Sequence, residues 1–155
     1  MASKEIVRFR PEHEDEFCFT QGRWVNDLLF LGGLAAVDED GQVLHKGDLP
    51  AQMSAVYKDA AEILARCGLT LGDIVRETVY TSDMAAWRDT LALRREIFKG
   101  ETPPPGSIIG VVELADPDML IEIEFTARRR PAVRRFLKSV SCTLAGGRRT
   151  KPARS

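Results

Sequence analysis

Long apolar runs are missing from this chain. No stretch approaches the roughly 18 residues of a bilayer-spanning helix, so no membrane span is expected. Met1 to Arg10 lacks the apolar core of a secretory signal. Cysteine is scarce as well. Cys18, Cys67 and Cys142 are odd in number and far apart, with no CxxC pair, which argues against a zinc site or disulfide framework and for a reduced, cytoplasmic setting. The two histidines, His13 and His45, are also distant from each other. His13 lies in Glu12-His13-Glu14-Asp15-Glu16, where nothing would fix the side chains around one metal ion, so a solvated acidic loop is expected there. No Gly-rich phosphate loop and no lysine in a Schiff-base setting occur, and no cofactor is expected.

What is present suits one ordinary domain: 155 residues, 44% hydrophobic and 29% charged. The net charge of −1 conceals an asymmetry. Residues 128–155 hold ten Lys/Arg and no Asp/Glu, whereas residues 1–127 hold the other 12 basic and all 23 acidic residues, a balance of −11. The chain therefore divides into a domain, 1–130, and a basic tail, 131–155. In the tail, Ala132 to Ser141 has the spacing of a short basic helix, and Gly146 to Ser155 has the composition of disorder. A flexible appendage is the first reading of the tail. Clustered arginines also suit a nucleic acid or other anionic partner, but no aromatic interleaving supports one.

Along the domain, Ile6 to Phe9 and Phe17 to Val25 read as strands. Asn26-Asp27 reads as a turn into a third strand, Leu28 to Leu31, which ends at Gly32-Gly33. Asp48 caps a helix from about Leu49, with Met53, Val56, Tyr57, Ala60, Ile63, Leu64 and Cys67 in one stripe and Gly68 as its stop. Ile74 to Thr81 is a β-branched strand. Ser82-Asp83 caps a second helix, Met84 to Phe98, with Trp87, Leu91 and Phe98 inward. A stiff proline loop precedes a short strand at Ile108 to Val112, and Met119 to Ala127 alternates as a half-buried strand. The order is β-β-β-α-β-α-β-β. Two helices cover only one face of such a sheet, so the other is solvated, binds a ligand or meets another subunit.

From Asp27 to Arg129 the chain resembles the RidA/YjgF family of reactive enamine/imine deaminases. The resemblance rests on Asn26 to Gly33, on Ala51-Gln52, on the long stretch Cys67 to Tyr80 followed by Ser82-Asp83-Met84, and on Leu120-Ile121-Glu122-Ile123-Glu124. It implies an α+β, chorismate-mutase-like mixed sheet with two helices on one face. It also implies a homotrimeric barrel with small-molecule pockets at the subunit interfaces, and hydrolysis of 2-imino acids to 2-oxo acids and ammonia. In that family an arginine grips the substrate carboxylate, and a carboxylate on the last strand orients the water.

Carried over by position, the resemblance puts Glu122 in the catalytic place and Phe19, Gly32, Gly33, Leu91, Ser107 and Ile109 around the substrate. Ser107 stands where the clamping arginine is expected, Ile109 where a cysteine is frequent, Leu91 for an asparagine, Gly32 for a serine and Phe19 for a tyrosine. A serine cannot supply a charge-assisted fork. Arg94, Arg95 and Lys99 are no obvious replacement. The expected substrate is an enamine, imine or related unstable nitrogen compound, bulkier or less anionic than 2-iminopropanoate. Two alternatives stand beside it: the usual deaminase with a relocated anion clamp, and a non-catalytic metabolite-binding or tail-mediated interaction protein. From alternation alone Glu122 and Glu124 are the solvent side of a strand; the family position singles out Glu122. Ser107 has no nearby base to make it a nucleophile.

Overall fold

The computed structural model describes residues 5–129. Their elements run β1 (Ile6–Val7), α1 (Pro11–Glu16), β2 (Gly22–Val25), β3 (Leu28–Ala35), α2 (Leu49–Arg66), β4 (Ile74–Thr81), α3 (Met84–Asp89), α4 (Leu91–Ile97), β5 (Gly106–Gly110) and β6 (Ile121–Arg128). A 3-10 turn at Leu71–Asp73 leads into β4. The strands make one sheet in the order β1-β2-β3-β6-β4-β5. Only the β4–β5 pair is parallel.

The helix α2 forms as its capping and periodicity dictate. The Asp48 carboxylate accepts from the Ala51 N–H at 3.0 Å, and Gly68, at a φ of +73°, takes the left-handed conformation that ends the helix. Met53, Val56, Ala60, Ile63 and Leu64 are fully buried against Leu29, Leu31 and Leu34 of β3 and Ile121, Ile123 and Phe125 of β6. Each of these side chains larger than alanine contributes about 1.5–3 kcal/mol on burial, so this seam is a major part of the domain's stability. The helices α3 and α4 lie beside α2 on the same side of the sheet. The opposite face is open, and it carries the candidate site.

The turn between β2 and β3 holds Val25 opposite Leu28, with Asn26 at a φ of 58° in the position a tight hairpin turn requires. Elsewhere the structure departs from the expected elements. β3 does not stop at Gly32-Gly33 but continues to Ala35 through a bulge, in which Leu31 pairs with Phe125 and Leu34 with Ile123. The second helix is not continuous from Met84 to Phe98. The buried Thr90 donates its hydroxyl to the Trp87 carbonyl at 2.6 Å, and the helix divides there into α3 and α4. Phe98 is buried and Trp87 partly so, whereas Leu91 is exposed rather than inward. β5 begins at Gly106, and Val112, expected within it, is almost wholly exposed.

The acidic run is the largest correction. Residues Pro11–Glu16 form a helix, not a solvated loop, and Glu14 is completely buried. Its carboxylate accepts from the backbone N–H groups of Phe9 (2.7 Å), Arg10 (3.0 Å) and Gln21 (3.0 Å), and Arg8 pairs with it at 3.0 Å. Phe17 to Thr20 is consequently the loop that Glu14 ties to β2, not the start of a strand. The expectations for the tail, including Cys142 and a helix at Ala132 to Ser141, lie outside the described residues.

Candidate active site

Strand register arranges the open face in lateral rows, because residues paired across strands point the same way and lie about 4.8 Å apart. The first row is Ile6, Arg23, Phe30, Thr126 and Arg76. Next come Glu124, Thr78 and Ser107, and then Ala35, Glu122, Tyr80 and Ile109. Successive rows are about 7 Å apart along the strands. Between them, Glu77, Val79, Ile123 and Phe125 point to the helical side and are buried.

These rows form an open concavity of about 640 Å³ lined by Arg23, Phe30, Gly32, Arg76, Thr78, Tyr80, Ser107, Ile109, Glu124 and Thr126 among others. Gly32, Ser107 and Ile109 are thereby brought together. A Cβ on Gly32 would meet nothing closer than 3.7 Å, so the serine of the family pattern would fit there. Glu122 and Gly33 form a second, adjacent unit. The Glu122 carboxyl lies over Gly33 in the space a Cβ would occupy, so residue 33 must be glycine for Glu122 to sit there. Burial, and then the neighbouring Glu124, raise the pKa of Glu122 above its ordinary 4.5. The Tyr80 hydroxyl donates to Glu124 Oε2 at 3.1 Å, and this bond raises the tyrosine's own pKa. Phe19 lies in the loop after α1, next to the lining residue Thr20, its ring edge-on to His13 at 5.8 Å. Leu91 opens α4 on the helical side and does not join the others within one protomer.

The helical side of the same strands is locked by a buried polar cluster. The Tyr57 hydroxyl donates to Glu77 Oε2 at 2.9 Å, and Arg94 donates both to Tyr57 and to the Glu77 carboxylate. The Arg94 guanidinium also stacks over the Phe98 ring at 5.1 Å. Burial and then the Glu77 charge push the Tyr57 hydroxyl far up. Arg94 is thus committed to the core, and Lys99 pairs with Glu96 at 3.1 Å, so neither reaches the concavity. The cations that do are Arg23 and Arg76, which were not singled out in the sequence. Register could have found them: both share the row of Phe30, and only strand pairing reveals that row.

A six-stranded mixed sheet with helices on one face and carboxylates on the other defines an α+β protein of the chorismate-mutase-like type. The family model described as endoribonuclease L-PSP matches residues 13–129, and the chain belongs to that family, also called RidA/YjgF. A RutC family protein of Pyrococcus abyssi is 30% identical over 125 residues, 81% of this chain and 97% of the relative. The 3-aminoacrylate deaminase RutC of Acinetobacter baylyi is 29% identical over 102 residues, 66% of this chain and 79% of the relative. Among solved structures, the YjgF gene product of E. coli superposes with a TM-score of 0.65 at 30% identity, covering 72% of this chain and 88% of its own. Among the described residues no helix is long and apolar enough to cross a membrane.

Proposed function

We propose that this chain is a divergent, cytoplasmic deaminase of its family. It hydrolyses the C=N bond of an imine, or of the tautomeric enamine, bulkier or less anionic than 2-iminopropanoate. The observation that carries the reading is the composition of β5. Ser107 and Ile109, with Phe30 opposite, line a broad concavity where the family arrangement has an arginine and a cysteine. The relative in Acinetobacter baylyi named as a 3-aminoacrylate deaminase supports the reaction class.

An imine carbon is already electrophilic, so binding, a positioned water and proton transfer suffice. Glu122, its pKa raised, protonates the imine nitrogen. Water adds to the carbon, the carbinolamine loses ammonia, and an oxo compound remains. Beside it the Tyr80 hydroxyl donates to Glu124. The exposed apolar side chains Ile6, Val25, Phe30 and Ile109 on the open face fit the interior of a homotrimer, with the concavity completed by a neighbouring copy.

Imines generated in place from phenylalanine and from 2-aminobutanoate by an L-amino-acid oxidase, and trapped with semicarbazide, test the reading. The protein should shorten the lifetime of the phenylalanine-derived imine more than that of the smaller one. No acceleration of either would overturn it.

A further inference from the structure

We propose that Tyr80 and Glu124 form a proton relay that activates the attacking water, which makes Tyr80 a second catalytic residue beside Glu122. The inference rests on the deaminase reading for the reaction and on the sheet register for the geometry. Tyr80 of β4 stands directly opposite Glu122 of β6, so the two rise from one row of the open face as lateral neighbours. Glu124 lies one row further along β6, about 7 Å away along the strand. The Tyr80 side chain spans that gap, and its hydroxyl donates to Glu124 Oε2 at 3.1 Å. Both residues line the concavity. Beside Glu124 in its row stand Thr78 and Ser107, short side chains that leave room for a water at the phenolic oxygen.

A phenol alone is a poor base at neutral pH, because it ionises only near about pH 10. Here the bond to Glu124, then desolvation, then the charges of Glu124 and Glu122 raise its pKa further, with Arg76 opposing them. Tyr80 therefore keeps its proton and by itself takes none from water. The carboxylate at the far end of the bond removes that obstacle. Tyr80 Oη accepts a proton from the water as its own proton passes to Glu124, so neither a tyrosinate nor a charged phenol accumulates. The water oxygen bonds to the imine carbon, the π pair of the C=N bond moves to nitrogen, and Glu122 gives that nitrogen its proton. In the collapse of the carbinolamine the roles reverse. Glu122 takes the hydroxyl proton and the C=O bond forms. The relay returns the Glu124 proton to the nitrogen, which leaves with the C–N electron pair as ammonia. Both carboxyls end as they began. Two carboxyls on one strand thus divide the work: Glu122, half-buried over Gly33, starts with a proton, and the exposed Glu124 starts without one.

Steady-state hydrolysis of the phenylalanine-derived imine by the full chain tests the relay. Tyr80→Phe keeps the ring and loses the hydroxyl, whereas Glu124→Gln keeps an acceptor for the hydrogen bond and loses the base. Each should lower kcat by roughly a hundredfold with little change in KM, the low end of what general acid–base catalysis supplies. The double variant should be no slower than either single one, because the two residues act as a unit. A second readout is independent of turnover. The chain has two tyrosines, and Tyr57 is buried, so ultraviolet titration of tyrosinate reads Tyr80. Glu124→Gln should move that titration to lower pH, since it removes the charge that holds the phenol protonated. The relay is overturned by a kcat within twofold of wild type in either variant, by losses confined to KM, by losses that multiply in the double variant, or by an unmoved titration. Any of these leaves the deaminase reading standing. No imine hydrolysis by the wild type removes that reading and the relay with it.

Discussion

At Glu122 the open face and the bulge of β3 meet, and the carboxyl responds to both. Its pKa is raised, so the folded state binds its proton more tightly than the unfolded chain does. The stability this contributes is present below the ordinary value of 4.5 and is lost as the pH rises through the folded value. Glu122→Gln should therefore raise the urea midpoint at pH 7 and leave it little changed at pH 4, while reducing imine turnover. Gly33→Ala should lower turnover as much as Glu122→Gln, since it evicts the carboxyl from its seat; steady-state kinetics on both variants check this. Glu14, by contrast, is a carboxylate held wholly by the fold. Glu14→Ala leaves the N–H groups of Phe9, Arg10 and Gln21 without their acceptor, and each costs about 1–3 kcal/mol where buried. Urea denaturation should show a loss of several kcal/mol. The sequence offered no sign of this, because a run of acidic residues reads as solvated until three backbone donors are seen to converge on one of them.

Among the elements, α2 and β4 were legible because local signals were complete. Asp48, Gly68 and a stripe at three- and four-residue spacing leave little else for residues 49–66 to do. The division at Thr90 and the continuation of β3 past its glycines were not legible, since both depend on partners distant in sequence. The same is true of the cluster behind the site. Glu77 interrupts a β-branched strand and gives no hint that Tyr57 and Arg94 will meet it. Removing one member strands a buried charge. Arg94→Ala should cost about 3–5 kcal/mol in chemical denaturation, and the apolar pair Glu77→Leu with Arg94→Met should recover much of that loss. Gly106 ties this cluster to the site, because a Cβ there would strike Glu77, so repacking Glu77 should also shift β5 and Ser107.

On the scale of the molecule, the uncovered sheet face was legible from arithmetic: the expected helices were too few for two faces. Which residues occupy that face depends on register, and so nothing local in the sequence marks Arg23 and Arg76, whereas the family resemblance marks Glu122, Ser107 and Ile109. If three copies close around this face, Phe30→Asp places a charge in the shared interior. Light scattering should then show a mass near one chain for the variant and near three for the wild type. Charge is as unevenly placed as apolar surface, since the acidic balance of −11 belongs to residues 1–127.

The bulge in β3 has a further consequence for how relatives can be compared. Leu29, Leu31 and Leu34 all face the core only because one extra residue is spent between Leu31 and Leu34. Deleting a single glycine there would leave three leucines in plain alternation, a strand that still packs on α2 but has no seat for a carboxyl at 122. A one-residue difference in length at this point would separate chains that keep the seat for this carboxyl from chains that keep only the scaffold, even where every other residue of the strand agrees.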